Sequence, residues 1–134
     1  MTEEYFIYGN EPSPYSIKVR SYFRYKGIPH HWVVRSYETN NEFKKNAKIA
    51  IVPLVITPEK KVIQDSTPII QIMEKKFQEC SIVPKEEHTA FIARLLEEYA
   101  DEWLVKPMFH SRWKYEEDQW DAAFRITEPF VPVW

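Results

Sequence analysis

The sequence lacks the features of several large classes of protein. Its single cysteine, Cys80, cannot form an internal disulfide, and residues 1–9 are too short and too polar for a secretory signal. No apolar run approaches the ~20 residues that a membrane-spanning helix needs. A formal net charge of −2 argues against the broad basic face of a protein that binds nucleic-acid backbones. These absences favour a cytoplasmic protein with no membrane or nucleic-acid partner.

The chain also lacks a recognisable metal or dithiol centre. Its four histidines do not have the spacing of metal ligands, and no cysteine cluster accompanies them. With one thiol, the chain cannot carry out dithiol redox chemistry. We therefore predict no metal and disfavour a glutaredoxin-like reductase.

Enough apolar residues are present for a folded core. Hydrophobic residues make up 44% of the 134 residues, which excludes a disordered chain and allows one compact domain, or a small domain with part of a second. Short apolar runs predict strands, and apolar residues at helical spacing predict helices. The strands are expected at 5–9, 31–34, 52–56 and 62–64, and the helices at 14–26 and 66–77, with a short helix within 38–47.

Three short motifs in this α/β pattern are informative together. The chain has Ser13-Pro14-Tyr15-Ser16 after the first strand, Val52-Pro53 at the start of another, and Asp65-Ser66 at a helix start. Each is weak alone, because such residues commonly begin helices and strands. Their order and separation, rather than any one motif, carry the functional signal.

Residues 1 to about 79 resemble the N-terminal domain of cytosolic glutathione transferases. The first motif is similar to the Cys-Pro-Tyr-Cys of glutaredoxins with serine in place of both cysteines, at the position where omega-class transferases have Cys-Pro and zeta-class transferases a serine. The resemblance implies a thioredoxin-like βαβ-ββα domain at 1–79, a linker at 80–85 and an all-helical domain at 86–134 that is incomplete. It also implies glutathione as cosubstrate and a small electrophile as second substrate.

By this resemblance Ser13 is the catalytic residue. Glutathione must react as a thiolate, yet a free thiol with a pKa near ~8.5 is only slightly ionised at neutral pH. A serine hydroxyl at a helix N-terminus can donate a hydrogen bond to the sulfur, while the helix dipole adds positive potential. Two alternatives remain open: Ser13 serves only as the helix N-cap, or Ser16 assists as a donor.

Val52 and Pro53 are expected to hold the cysteinyl part of glutathione. A cis peptide before Pro53 would turn the Val52 N–H and C=O outward, so that the ligand could pair with them like an added strand. In the resembling family this backbone pairing is how glutathione is held. A trans proline at the start of an edge strand is the alternative.

Asp65 and Ser66 are expected to hold the γ-glutamyl group. Its carboxylate needs a helix N-terminus with a hydroxyl, and its ammonium needs an acid. The family more often has Glu or Gln before this serine, so Asp65 is a shorter variant. The glycyl carboxylate needs a cation, for which Lys48 is our candidate, with Lys44 and Lys45 as alternatives.

The sequence from residue 86 onward, called the helical remainder below, predicts that the chain associates with another copy or another segment. A helix is expected from Glu86 to Val105, with Phe91, Leu95, Tyr99 and Trp103 forming one apolar stripe that must be buried. Residues 127–134 hold two prolines and do not predict a helix. Either this is part of a longer transferase, or a short form buries the stripe in a homodimer. Possible pocket residues are Tyr99, Trp103, Met108 and Trp113.

We therefore expect a transferase-like protein that binds glutathione and activates its thiol for attack on a small electrophile. The alternative is a non-catalytic binding or assembly module built on the same fold.

Overall fold

The computed structural model describes residues 4–132 and contains the predicted four-stranded mixed sheet. The strand order is β2-β1-β3-β4, in which β1 and β2 are parallel and the other two pairs are antiparallel. The strands are β1 (Tyr5–Gly9), β2 (His30–Val34), β3 (Leu54–Ile56) and β4 (Val62–Gln64). The predicted thioredoxin-like α/β fold is thus confirmed.

Six α-helices accompany the sheet within the described part of the chain. The first three belong to the α/β unit, and the last three follow it. They are α1 (Pro14–Tyr25), α2 (Asn40–Asn46), α3 (Ser66–Lys76), α4 (Glu87–Tyr99), α5 (Val105–Lys114) and α6 (Glu116–Thr127). A π-helical turn, Ala100–Leu104, joins α4 to α5, and a 3-10 turn, Glu128–Phe130, follows α6. None of the helices in residues 4–132 is both long and apolar enough to cross a membrane.

Helix α1 begins and ends where its sequence specifies. Ser13 is the N-cap, and Pro14 occupies the first turn, where its missing N–H costs no hydrogen bond. Gly27, with φ +64°, ends the helix in a left-handed conformation that side chains disfavour. The buried face of α1, including Val19 and Phe23, packs into the main core.

Two apolar clusters lie on opposite faces of the sheet. Because side chains alternate along β1, Ile7 points to one face and Tyr8 to the other. The larger cluster joins Ile7 to α1 and α3, whereas the smaller joins Tyr8 to Phe43 of α2. Helices therefore cover both faces, and the sheet is fixed between them.

The register of the sheet gathers four loops at one edge. Gly9 pairs with Val34 at the ends of the parallel strands, and Leu54 at the start of β3 pairs with Gln64 at the end of β4. Since Tyr8 also pairs with Leu54, these ends lie at the same edge of the sheet. The segments that follow β1, β2 and β4, and the segment that precedes β3, therefore meet there.

The helical remainder differs from the sequence expectation. The helix predicted from Glu86 to Val105 is interrupted by the π-helical turn, and neither α5 nor α6 was predicted as a separate helix. In the segment from 127 onward, for which no helix was predicted, Thr127 ends α6 and residues 128–132 contain a 3-10 turn but no α-helix. Val133 and Trp134, which that prediction included, lie outside the described residues.

A buried ion pair joins the end of α1 to α3, and the same two side chains hold the start of the linker at Cys80 and Ser81. Lys26, after α1, contacts Glu74 of α3 at 2.9 Å, and its Nζ also donates to the carbonyls of Phe77 and Glu79 at 2.7 and 2.6 Å. Tyr22 donates a further hydrogen bond to Glu74 at 2.7 Å. Burial opposes ionisation of Glu74, but these hydrogen bonds outweigh it and lower the pKa of its carboxyl.

Candidate functional site

Ser13 lies at the N-terminus of α1 with its hydroxyl already used as an acceptor. Its Oγ accepts a hydrogen bond from the N–H of Ser16 at 3.2 Å, so Ser13 is a helix cap. A hydroxyl has one donor hydrogen besides its acceptor lone pairs, and among residues 4–132 that hydrogen has no acceptor. Capping and donation to a ligand are therefore compatible.

Ser16 is oriented away from this position. The residue is fully buried, and its Oγ has no hydrogen-bond partner among the described residues. A Cβ added at Gly9 would lie 3.0 Å from that of Ser16 and would collide with the ring of Trp32. Ser16 thus packs against the sheet, and the close approach depends on glycine at position 9.

Val52 and Pro53 precede β3, at the edge of the sheet from which the loop carrying Ser13 also begins. The peptide bond between them is cis, as predicted, and Pro53 is buried. Within residues 4–132 neither the N–H nor the C=O of Val52 makes a backbone hydrogen bond, whereas the carbonyl of Pro53 accepts one from Asp65 at 3.1 Å. The Val52 backbone is therefore free to pair with an extended ligand.

Asp65 and Ser66 begin helix α3 next to this strand. Asp65 has φ +80° and ψ 141°, a conformation rare for residues with a side chain, and its carboxylate makes no capping hydrogen bond. Strain of this kind costs about 1–3 kcal/mol and is concentrated at ligand sites. The α3 N-terminus, with Ser66 as its first residue, offers free N–H groups for a carboxylate.

The backbone of Lys48 is anchored by the side chain of Gln64, the residue before Asp65. The side-chain oxygen of Gln64 accepts from the N–H of Lys48 at 3.2 Å, and its amide donates to the carbonyls of Ile49 and Ile51 at 2.7 and 2.8 Å. Arg35 supports the same loop, donating to the carbonyl of Ala50 at 2.9 Å. The two alternatives, Lys44 and Lys45, lie in the last turn of α2 without such an anchor.

Tyr15 connects the Ser13 end of α1 to the helical remainder. Its hydroxyl donates to the backbone carbonyl of Asp101, in the π-helical turn, at 2.7 Å. Burial raises the pKa of Tyr15, and the carboxylates of Asp101, Glu102 and Asp65 raise it further. The hydrogen bond holds the π-helical turn after α4 against the first turn of α1.

Sequence reasoning missed the residues that hold these segments in place. Gln64, Arg35 and Tyr15 act through hydrogen bonds to distant backbone groups, which no local pattern shows. Gln64 gave one usable signal, because it is a polar residue that ends a strand directly before Asp65-Ser66. Arg112 of α5, which donates to the carbonyl of Pro12 at 2.7 Å, gave none.

The predicted pocket residues divide into two groups. Met108 lies against Arg112, with its sulfur 3.7 Å from the guanidinium, and so faces the loop that carries Ser13. Tyr99, Trp103 and Trp113 are more than two fifths exposed.

A separate groove of about 1120 Å³ lies between α1, α3, the linker and α4, and none of the six predicted site residues lines it. No group of three or more metal-ligating side chains occurs in residues 4–132.

Comparisons with known proteins agree with this geometry. Residues 7–81 match the sequence model of the glutathione S-transferase N-terminal domain. A search of curated protein sequences gave no match. The fold is similar to that of glutathione transferase Omega 3C from Trametes versicolor, with a TM-score of 0.72 at 16% identity, over 96% of this chain and 60% of that one.

Two further solved structures share the fold and contain a ligand. One is a Methylobacterium radiotolerans glutathione S-transferase in complex with glutathione sulfonate, with a TM-score of 0.69, 20% identity, and coverage of 94% of this chain and 63% of that one. The other is Ure2p in complex with glutathione, with a TM-score of 0.67, 15% identity, and coverage of 96% and 64%. The chain thus spans less than two thirds of the length of each of the three proteins.

The sheet order, the cis proline and the helix positions define a thioredoxin-like α/β domain followed by helices. Because the matched region covers more than half of the sequence, the chain belongs to the glutathione S-transferase family, of which it carries the N-terminal domain.

Proposed function

We propose that this protein binds glutathione and activates its thiol for attack on a small electrophile. The observation that carries the proposal is one edge of the sheet, where within residues 4–132 the Ser13 hydroxyl hydrogen has no acceptor, the Val52 backbone makes no backbone hydrogen bond and the Asp65 carboxylate makes no capping bond. Ser13 and Val52 complement the cysteinyl residue of the tripeptide, and Asp65 complements its γ-glutamyl end. With Lys48 for the glycyl carboxylate, all these contacts would come from the α/β domain alone.

The three parts of glutathione match the three elements of the site. The γ-glutamyl carboxylate would bind the α3 N-terminus at Ser66, with its ammonium on Asp65, and the cysteinyl backbone would pair with Val52 beside Pro53. Lys48 would neutralise the glycyl carboxylate. This arrangement directs the cysteinyl sulfur toward Ser13.

Chemistry at this sulfur needs only ionisation and attack. The thiol proton passes to water, and the resulting thiolate accepts the Ser13 hydrogen bond. The sulfur lone pair then forms a C–S bond with the electrophile, which either releases its leaving group as an anion or, in an addition, takes up a proton from water. Glutathione is consumed in each turnover and is thus a cosubstrate.

Other parts of the proposal follow from the sequence. We divide the chain into a glutathione-binding domain at 1–79, a linker at 80–85 and an incomplete helical domain at 86–134. A single cysteine, Cys80, which is exposed and unpaired, suits the reducing conditions of the cytoplasm.

Glutathione is expected to stabilise the fold, because it binds the folded site and not the unfolded chain. At ~100 times its dissociation constant it should raise the free energy of unfolding by about 2.7 kcal/mol. Thermal unfolding with increasing glutathione measures this, and Asp65→Ala should weaken the effect. Lys61→Ala, which alters an exposed lysine in the β3–β4 turn, is the control and should respond like the wild type. No shift at millimolar glutathione would contradict the proposal.

A non-catalytic binding or assembly module is the second candidate. The exposure of the helical remainder favours this candidate. Within the described chain, Ala122 is the one buried residue of α4, α5 and α6. A pocket for an electrophile built from such helices would be largely open. Unchanged melting in glutathione, together with stable association with another protein, would support this candidate.

We further propose a homodimer through an apolar stripe on α4 and the π-helical turn that follows it. Phe91, Leu95 and Tyr99 of α4 and Trp103 of the turn are 51% to 65% exposed in the single chain. The end of the described chain does not cover them: it packs against the α/β unit, where the N–H of Tyr37 donates to the Pro129 carbonyl at 2.8 Å. A second copy would bury the stripe.

Leu95→Asp is expected to convert the dimer into a monomer, because it places a charge at the centre of the stripe. Sedimentation at micromolar concentration measures the mass. Tyr37→Asp, which introduces a charge at another exposed aromatic residue, should leave the dimer intact. A wild-type monomer would refute the association.

A further inference from the structure

Arg112 is a positive charge beside the Ser13 loop with no carboxylate paired to it in the described part of the chain. Its Nη2 donates to the Pro12 carbonyl at 2.7 Å, a contact that joins residues 100 positions apart. Among residues 4–132 no Asp or Glu forms an ion pair with it, whereas Lys18 of α1 contacts both Glu97 and Asp101, at 2.7 and 2.6 Å. Arg112 thus keeps its full charge in a half-buried position.

The side chain is fixed by its own helix. Its guanidinium lies 3.7 Å from the sulfur of Met108, one turn earlier on α5, and 5.4 Å from the ring centre of Phe109. These contacts hold the planar group against the end of the helix that faces α1. Because the guanidinium is already ordered, it loses little side-chain entropy when it forms a hydrogen bond.

The charge lies close to the proposed position of the glutathione sulfur. Pro12 and Ser13 share one peptide unit, so standard bond lengths place the guanidinium within roughly 8 Å of the Ser13 hydroxyl, and within roughly 11 Å of a sulfur that accepts the hydrogen bond of that hydroxyl. A unit charge ~11 Å away, at the effective dielectric constant of about 20 that suits protein sites, shifts the pKa of an acid by about 1.

We propose that Arg112 is a positioning residue that also lowers the pKa of glutathione bound at Ser13. The inference rests on the proposed function. Its hydrogen bond fixes the Pro12–Ser13 peptide, and therefore the direction of the Ser13 hydroxyl. Its charge favours the thiolate, whose proton passes to water. The helical remainder then contributes to thiol activation, although the glutathione contacts come from the α/β domain.

Two substitutions separate the charge from the hydrogen bond. Arg112→Gln keeps an amide donor but removes the charge, whereas Arg112→Lys keeps a charge and a donor. Glutathione is the probe, and ultraviolet absorbance of the bound thiolate against pH gives its pKa. Arg112→Gln should raise this pKa by about 1, and Arg112→Lys should restore most of the difference. Turnover of Arg112→Gln with a generic electrophile should be about tenfold slower than that of the wild type at a pH below the wild-type thiolate pKa. It should approach the wild-type rate at a pH above the thiolate pKa of the variant.

Arg24→Gln is the matched control. It makes the same substitution in the last turn of α1, at an exposed position roughly 16 Å along the helix from Ser13. Because water screens a charge at that distance, Arg24→Gln should leave the thiolate pKa unchanged. Equal pKa values in the wild type and Arg112→Gln, or a shift as large in Arg24→Gln, would overturn the inference.

Failure of the Arg112 inference can be distinguished from failure of the proposed function. If wild-type protein does not bind glutathione, the proposed function fails, and this inference fails with it. If wild-type protein binds glutathione as a thiolate and Ser13→Ala raises the thiolate pKa while Arg112→Gln does not, the function stands and only the role of Arg112 is refuted.

Discussion

Lys26→Met is expected to lower the free energy of unfolding by about 3 kcal/mol, because it leaves a buried carboxylate without its cation. The side chains of Lys26 and Glu74 are 1% and 10% exposed, and their charged atoms are 2.9 Å apart. Lys26 also satisfies the carbonyls of Phe77 and Glu79, which would lose their donor. Urea unfolding measures the change. Adding Glu74→Gln should recover part of the loss, since it removes the unpaired charge.

An exposed pair of the same kind supplies the control. Lys76 and Glu59 are also 2.9 Å apart, but their side chains are 42% and 53% exposed. Lys76→Met should change stability little, because water solvates the remaining carboxylate. If both lysine substitutions had equal effects, burial would not be the source of the Lys26 contribution.

The Lys26 effect should depend on pH in a defined direction. The folded-state pKa of Glu74 lies below its ordinary value of 4.5, so the paired carboxylate stabilises the fold above that value. The contribution is lost as the pH falls through the folded pKa. The difference between wild type and Lys26→Met should therefore shrink in acid.

Ser13→Ala is expected to reduce turnover with a generic electrophile by about ten- to hundredfold at neutral pH. A hydrogen bond to a charged group contributes ~1.5–3 kcal/mol, and each ~1.4 kcal/mol corresponds to one pKa unit of the thiol. Glutathione affinity should change little, because the other contacts are at Val52, Asp65 and Ser66. Steady-state kinetics at fixed pH, with binding measured separately, test both statements.

Stability alone does not identify the role of Ser13. Loss of its cap should cost about 1 kcal/mol whether or not the hydroxyl is catalytic. Ser16→Ala is the matched control, since it removes a buried hydroxyl one turn later and should leave turnover unchanged. Ser13→Cys should form a mixed disulfide when oxidised glutathione is supplied, because its thiolate can attack the disulfide and release reduced glutathione.

The sequence predicted the α/β domain closely because local signals there agree with tertiary packing. Alternating apolar residues in β1, the Ser13-Pro14 start of α1 and Gly27 at its end each specify the same element. The cis bond before Pro53 was inferred correctly from the order of the elements. The sequence offered three lysines as the cation for the glycyl carboxylate and gave no reason to prefer Lys48. The hydrogen bond between the Lys48 backbone and the Gln64 side chain depends on the fold.

The helical remainder was predicted less well. Its apolar residues are spread over exposed faces, so periodicity indicated a helix but not where α4 ends or that the π-helical turn follows. Trp120 and Phe124, four residues apart in α6, were a usable signal that the prolines near the end of the chain obscured. The bond from Arg112 to Pro12 spans most of the chain and has no local signature.

The most direct test of the account is the ultraviolet absorbance of bound glutathione against pH, in wild type and in Ser13→Ala. The account predicts thiolate absorbance at neutral pH in the wild type and a titration curve displaced to higher pH in Ser13→Ala, with glutathione bound to both. Overlapping curves, with glutathione bound to both, would contradict the claim that Ser13 activates the thiol.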